Sequence, residues 1–90
     1  MYILYTLPAS QDCFDVRSVL YDLNIEYIER DVINIRTLNE LRELVDDKGD
    51  VKRDVPVLYF KDKKKIYKGK KDIIEYLSES FGEDRYRNLI

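Results

Sequence analysis

The protein has 90 residues, of which 44% are hydrophobic and 38% are charged. This length supports one domain with a single core, and the composition is typical of a small soluble globular protein, not of a disordered or membrane-spanning chain. Sixteen Lys and Arg residues stand against 18 Asp and Glu residues, which gives a net charge of −2. Since this charge offers no overall attraction to polyanions, neither nucleic acid nor a membrane is an expected partner.

Residue types that carry much of enzyme chemistry are absent or scarce. The chain has no His, which excludes Ser-His-Asp triads and the common zinc sites. Its single Cys excludes an intramolecular disulfide, a Cys-x-x-Cys dithiol and a cysteine-cluster metal site. We therefore expect no metal and at most monothiol chemistry. The start of the chain lacks the basic segment and cleavage site of a signal peptide, which by default predicts a cytoplasmic location.

The first half of the chain alternates strand and helix. Tyr2 to Tyr5 is apolar throughout and is followed by Pro8, which predicts a short central strand covered on both faces. A helix is predicted from Asp12 to Leu23, with Asn24 as its stop. Glu26 to Val32 predicts a second strand, and its charges favour an edge position.

The second half continues with a helix, a hairpin and a last helix. Thr37 and Glu40 have the spacing of a capping box, which predicts a helix that runs to about Asp47. Val55 to Phe60 is a β-prone run in which Pro56 opens the third strand. The remaining predicted elements are a polar turn over Lys61 to Lys65, a short strand at Ile66 and Tyr67, and a helix after Gly69 whose apolar stripe is Ile73, Ile74, Leu77 and Phe81.

Seven Lys residues fall between Lys61 and Lys71, the one shift of composition along the chain. On a hairpin at the edge of a sheet, such lysines keep the edge soluble and unpaired. The alternative is a cationic rim that attracts an acidic peptide or a phosphate backbone, although no aromatic platform accompanies the lysines.

Three segments in this order resemble a known family. Ser10 to Leu20 resembles the Ser-x-x-Cys-x-x-Val-Arg-x-x-Leu segment of the N-terminal domain of glutathione transferases and the helix start of glutaredoxins. Arg53 to Leu58 is similar to the x-Val-Pro-x-Leu segment of that superfamily, and Ile73 to Leu77 to the transferases' Ile-x-x-Tyr-Leu. The resemblance implies a thioredoxin-like α/β fold, of glutaredoxin-type order βαβ-α-ββα with a four-stranded mixed sheet and three helices, over residues 1–82, followed by a tail at 83–90.

The family resemblance implies that the Val55–Pro56 bond is cis. That geometry would turn the backbone N–H and C=O of Val55 toward the extended backbone of glutathione or of a partner chain. The alternative is that Pro56 merely starts a strand where its missing N–H is harmless.

Ser10 and Cys13 are the candidate catalytic residues. The resemblance places Ser10 where glutaredoxins carry their nucleophilic cysteine and where several transferase classes carry the serine that holds the glutathione thiolate. The same position would also suit an N-cap, formed by Ser10 or Asp12, with no chemistry at all. Cys13 is either a reactive thiol activated by the helix N-terminus or a buried member of the apolar stripe. Its spacing from Val16 and Leu20 favours burial.

The candidate glutathione-binding residues are Arg53, Val55, Pro56 and Asp72. Asp72 takes the place of the glutaredoxin aspartate that binds the γ-glutamyl ammonium, or it only complements the helix dipole. Arg53, or its neighbour Lys52, would pair with the glycyl carboxylate, a contact of roughly 0 to 1 kcal/mol when exposed. The transferases' Glu-Ser pair before the third helix is replaced by Gly69 and Lys70. Tyr5 is interpreted as a residue of the hydrophobic core and not as a catalytic tyrosine.

The resemblance therefore implies a small glutaredoxin-like or transferase-N-domain-like protein that binds glutathione or a cysteine-bearing protein or peptide. If it is active, it is a thiol–disulfide oxidoreductase with at most monothiol chemistry, with a role in cell redox homeostasis, or a fragment of a glutathione-dependent transferase. The alternative is a non-catalytic interaction module that holds a protein partner through the Val55 edge or the lysine hairpin.

Overall fold

Four strands form one mixed sheet in a computed structural model that describes residues 1–90. The strands are β1 (Tyr2–Thr6), β2 (Tyr27–Asp31), β3 (Val57–Phe60) and β4 (Lys65–Lys68). Their order across the sheet is β2-β1-β3-β4, so β1 is central and β2 lies at an edge, as its charges predict. The β1–β2 pair is parallel, whereas the β1–β3 and β3–β4 pairs are antiparallel.

Three α-helices cover the two faces of this sheet. They are α1 (Gln11–Asp22), α2 (Ile35–Val45) and α3 (Gly69–Ser80), and short 3₁₀ segments occupy Val51–Asp54, Lys61–Lys63 and Asp84–Leu89. The predicted order of elements and the thioredoxin-like α/β fold are confirmed. None of the helices combines the length and the apolar character needed to cross a membrane.

The sheet separates two layers of core because successive side chains of a strand point to opposite faces. Leu4 packs with the apolar stripes of α1 and α3, whereas Ile3 and Tyr5 pack with α2. β3 divides in the same way, with Leu58 in the first layer and Val57 in the second. This arrangement explains why β1 is apolar from Tyr2 to Tyr5, as expected for a strand buried on both faces.

Local hydrogen bonds define both ends of α1. Ser10 is the N-cap residue, and Asn24 takes a left-handed conformation with φ of 57° just beyond the helix. The N–H of Ile25 then donates to the carbonyl of Leu20 at 3.0 Å, which closes the last turn. Asn tolerates this backbone region better than most residues, so the predicted stop at Asn24 is confirmed.

The predicted start of α2 is wrong by three residues. Asn34, not Thr37, is the N-cap, and its Oδ1 accepts from the N–H groups of Arg36 and Thr37. Thr37 is buried in the first turn, and Glu40 accepts a hydrogen bond from Tyr5 instead of closing a capping box. Asn caps a helix as well as Thr does, so the capping-box spacing alone could not decide between them.

The end of the chain also differs from expectation. The apolar spacing predicts Phe81 in the stripe of the last helix, but α3 ends at Ser80 and Phe81 is 44% exposed. Gly82, with φ of 64°, then turns the chain, so the helical register is lost after α3. Tyr86 instead lies in the α1–α3 core, with Leu89 packed against it, so the predicted tail 83–90 is part of the packed structure.

Candidate functional site

The segments expected to form the site meet at one end of the sheet. Because β1 and β3 are antiparallel, with Tyr5 opposite Val57, the end of β1 lies beside the start of β3. The end of β4 lies there too, since Val57 is also opposite Lys68. The N–H of Gly69 donates to the carbonyl of Pro56 at 2.8 Å, which ties the start of α3 to the third strand. We call this region, which includes Ser10, Val55, Pro56 and Gly69, the Ser10 end of the sheet.

Ser10 caps α1 and keeps a hydrogen-bond donor free. Its Oγ accepts from the N–H of Cys13 at 3.2 Å, so the N-cap interpretation is confirmed for Ser10 and not for Asp12. The hydroxyl proton has no acceptor within the chain. A shallow hollow of about 260 Å³ opens in front of it and is lined by Ala9, Ser10, Gln11, Phe14 and Arg17. A hydroxyl that caps a helix can therefore still donate to a ligand.

Val55 offers one of its two predicted backbone contacts. The Val55–Pro56 peptide bond is cis, and Pro56 is buried. The N–H of Val55 donates to the carbonyl of Lys52 at 3.3 Å, as the cap of the 3₁₀ segment before it, so the expectation that this N–H faces a ligand needs correction. The Val55 carbonyl accepts no hydrogen bond within the chain and remains available.

Cys13 is a core residue. Its side chain is fully buried, in line with the neighbours Val16 and Leu20 on the inner face of α1. A thiol reacts as an exposed thiolate, and this sulfur has no access to solvent or substrate. The structure therefore favours the inert interpretation over the reactive one.

An ion pair occupies the start of α3, where the resembling transferases have a Glu-Ser pair. Lys70 Nζ lies 3.2 Å from Asp15 Oδ2 and 3.5 Å from Asp12 Oδ1, which joins α3 to α1. The hydrogen bond to Asp15 raises the pKa of Lys70. Sequence reasoning missed this contact because Lys70 and Asp15 are 55 residues apart and no local pattern pairs them. The Lys70 cation is thus already neutralised by the chain's own carboxylates.

Asp72 and Arg53 have different surroundings. Asp72 is exposed and lines an open hollow of about 340 Å³ with Tyr67, Glu75, Tyr76 and Glu79. The residues that line this hollow do not include those of the hollow in front of Ser10, so the role of Asp72 in ligand binding stays a prediction. Arg53 is exposed on the 3₁₀ segment before Val55 and makes no ion pair, which leaves its guanidinium free.

The lysine hairpin remains a cationic surface. Lys61, Lys63, Lys64 and Lys65 are all exposed, and none of them forms an ion pair with a carboxylate of the chain. Both interpretations of these lysines, an edge kept soluble and a rim for an acidic partner, are compatible with this arrangement.

Tyr5 has a structural role that predicts a pH effect. Burial, and then the hydrogen bond to Glu40, raise the pKa of Tyr5 well above its ordinary value. Between pH 10 and the folded-state pKa, the unfolded chain releases this proton while the folded chain keeps it. The free energy of unfolding should therefore fall as pH rises above about 10, by up to about 1.4 kcal/mol per pH unit for one such group.

Tyr5→Phe is the variant that tests this effect. We expect it to cost about 1 to 3 kcal/mol at pH 7, because Glu40 loses a hydrogen bond, and to make the alkaline decline shallower. Urea unfolding between pH 7 and pH 11 measures both quantities, and Tyr21→Phe, at an 84% exposed position, is the matched control. An unchanged alkaline slope in Tyr5→Phe would contradict the assignment.

Comparison with known proteins adds the family. Neither the curated proteins nor the solved structures give a match to the chain. The family model described as "Glutathione S-transferase, N-terminal domain" matches residues 4–85. This range contains the Ser10 end of the sheet and nearly all of the fold, from β1 to the start of the last 3₁₀ segment. The chain therefore belongs to the glutathione S-transferase N-terminal domain family.

Proposed function

We propose that this domain binds glutathione, or an extended peptide that presents a cysteine, without forming a covalent bond to it. The observation that carries the proposal is the pair of unused polar groups at the Ser10 end of the sheet: the Ser10 hydroxyl proton and the Val55 carbonyl. Family membership supports the class of ligand. The two groups suit the sulfur and the backbone of a cysteinyl ligand, respectively.

The sulfur would be held by Ser10. Its hydroxyl lies at the N-terminus of the 12-residue helix α1, where the aligned peptide dipoles favour a negative charge by roughly 0.3 to 1 kcal/mol. A thiolate that accepts a hydrogen bond from the Ser10 hydroxyl would be stabilised by that hydrogen bond and by the helix dipole. Binding should consequently strengthen as pH rises through the thiol pKa of the ligand, because the anion then predominates.

The backbone of the ligand would pair with Val55. The free Val55 carbonyl can accept from the N–H of an extended cysteinyl residue, which is one rung of strand addition. Arg53, two residues before Val55 and free of ion pairs, would attract the carboxylate of the ligand. Lys70 is not proposed as a ligand contact because Asp12 and Asp15 already occupy it.

Binding, not disulfide exchange, follows from the available nucleophiles. The one thiol of the chain, Cys13, is buried, and a serine hydroxyl does not form a disulfide. Thiol–disulfide oxidoreductase activity is therefore the weaker part of the sequence-based expectation.

The proposal predicts a localised change in the NMR spectrum on titration with glutathione. Amide signals of Ser10, Cys13, Arg53 and Val55 should shift as glutathione is raised to about 10 mM, a concentration that detects millimolar affinity. S-methylglutathione should bind several-fold more weakly, since its sulfur cannot become an anion. Absence of any shift at the highest concentration would remove the proposal.

Two serine variants provide the matched comparison. Ser10→Ala should weaken glutathione binding several-fold, about the worth of one hydrogen bond, and should also cost about 1 kcal/mol of stability as a lost cap. Ser18→Ala removes a hydroxyl from the same helix, one that donates to the Phe14 carbonyl, and should leave binding unchanged. If both variants bind equally well, Ser10 does not hold the sulfur.

A second candidate function is a non-catalytic module that holds an acidic partner through the lysine hairpin. The exposed and unpaired lysines at 61, 63, 64 and 65 favour it. This candidate needs neither Ser10 nor Val55, so a spectrum that does not respond to glutathione would leave it as the remaining one.

A further inference from the structure

We propose that the outer edge of β2 is a self-association surface, on which two copies of this chain pair their β2 strands antiparallel with Ile28 opposite Ile28 of the second copy. The pairing would join two four-stranded sheets into one continuous sheet of eight strands. It involves neither Ser10 nor Val55 and is therefore independent of the proposed binding function.

The backbone of β2 has free hydrogen-bonding groups along this edge. β2 pairs with β1 on one side only, and Val32 donates its N–H to the carbonyl of Thr6. In a parallel pair, alternate residues of a strand turn their N–H and C=O toward the neighbour. Because the backbone N–H of Val32 points toward β1, the backbone groups of Arg30 and Ile28 do so too. The N–H and C=O groups of Tyr27 and Glu29 therefore point away from β1, and no strand of the chain pairs with them there.

The side chains at this edge include apolar ones that the chain leaves uncovered. Ile28 is 42% exposed and Met1 is 54% exposed. They contribute to an open hollow of about 570 Å³, which is lined by Met1, Ile25, Glu26, Tyr27 and Ile28. An antiparallel β2 strand of a second copy would cover Ile28 of the first copy. The β2 strand of the first copy would likewise cover Ile28 of the second.

The outward groups of Tyr27 and Glu29 allow three symmetric registers, and Asp31 is left out because its carbonyl already accepts from the N–H of Asn34. A two-fold axis perpendicular to the sheet pairs Tyr27 with Tyr27, Glu29 with Glu29, or Tyr27 with Glu29 of the second copy. The first register sets Ile28 against Glu26, and the second sets two Glu29 carboxylates against each other. In the third, Ile28 meets Ile28, and Glu26 of each copy meets Arg30 of the other.

Charge therefore selects the third register. Side chains directly opposite on antiparallel strands lie about 4.5 to 5.5 Å apart at Cβ, close enough for two symmetric ion pairs that flank the Ile28 contact. Glu26 forms no ion pair within its own chain. Arg30 has one at 3.7 Å from Glu40, with its side chain 43% exposed, so its guanidinium can contact a second carboxylate. Tyr27 and Glu29 supply the hydrogen-bonded pairs on either side.

The association is expected to be weak. One pair of five-residue strands with a single apolar contact buries less than the roughly 1,200 Å² of a stable interface, so the dimer should form only at high protein concentration. Sedimentation equilibrium up to about 1 mM protein should show an average mass that rises from monomer toward dimer. A mass that stays monomeric over this range would overturn the proposal.

Charge reversal tests the register. Glu26→Arg and Arg30→Glu should each abolish the dimer, because each homodimer would oppose like charges, whereas an equal mixture of the two variants should restore it as a heterodimer. Lys65→Glu, a reversal at an exposed position on the opposite edge strand β4, is the control and should leave the dimer intact. A mixture that stays monomeric, with both variants shown to be folded by circular dichroism, would overturn the Glu26–Arg30 register, and the cross-link described next tests the same register where one variant unfolds.

A cross-link measures the same geometry without a charge change. In this register Ile28 and its counterpart form a non-hydrogen-bonded pair with Cα atoms about 4.5 Å apart, within the range that a disulfide spans. Under a thiol oxidant such as diamide, Ile28→Cys should therefore give a covalent dimer at least tenfold faster than Tyr21→Cys, whose position is more exposed at 84%. Equal rates in the two variants would overturn the proposal.

Discussion

Tyr86→Ala is expected to lower the free energy of unfolding by about 3 kcal/mol or more, the range found when a large aromatic side chain is removed from a core. Tyr86 is only 7% exposed and packs in the same cluster as Leu20, Leu58 and Leu77. Arg85 covers its ring from 4.8 Å, and the Arg85 guanidinium also donates to the Tyr86 hydroxyl. Removal of the ring would leave a cavity that the surrounding side chains fill only in part.

Urea unfolding of Tyr86→Ala beside Tyr21→Ala measures this effect. Tyr21 is the same residue type at an 84% exposed position of α1, so its replacement should change stability by less than about 0.5 kcal/mol. Equal stability of the two variants would contradict the packed position of the 84–89 segment. Because small domains are stable by only about 5 to 15 kcal/mol, the loss at Tyr86 is a substantial part of the total.

The second large effect concerns the reactivity of Cys13. In the folded protein the thiol should react with an aromatic disulfide reagent at least about 1,000-fold more slowly than in urea, because the sulfur becomes accessible only when the chain opens. For a domain stable by 5 kcal/mol or more, the open fraction is below about one in a thousand. The rate of thiolate release at pH 8, with and without urea, measures the ratio.

Tyr21→Cys supplies an internal standard for this measurement. The variant should show one fast thiol, at the exposed helical position 21, and one slow thiol at Cys13, in the same molecule. Two fast thiols in the folded protein would show that Cys13 is accessible and would reinstate monothiol chemistry as a candidate activity. A native Cys13 that reacts only after unfolding supports binding without disulfide exchange.

Local patterns predicted the order of elements because each depends on neighbours in sequence. The stripe of Val16, Val19 and Leu20 predicts the buried face of α1, and Asn24 predicts its end. The error at α2 has a local cause as well, since Asn34 and Thr37 are both good caps and the choice between them depends on the turn after β2. Tyr86 was missed because no periodic pattern surrounds it.

For the candidate site, the sequence and the family resemblance located Ser10 at the tip of α1 and Pro56 at the start of the third strand. Neither predicted which backbone groups of Val55 stay free, because its N–H is taken by a turn of the 3₁₀ segment before it. Nor did they predict the partners of Lys70. That contact depends on how α1 and α3 lie against each other, which is decided by packing in the core they share.

The sequence by itself thus determined the order of elements, the stop of α1 at Asn24 and the absence of imidazole and dithiol chemistry, since composition, spacing and local hydrogen bonding suffice for these, whereas the class of fold came from the family resemblance. Only the tertiary structure decided that the Cys13 side chain is buried and that Lys70 forms an ion pair with Asp15. It also decided that Asp72 lines a hollow with Tyr67 and Tyr76, and that β2 has an unpaired edge with Ile28 exposed. The physical reason is that burial and long-range pairing depend on residues far apart in the chain, and no local pattern encodes which of them meet.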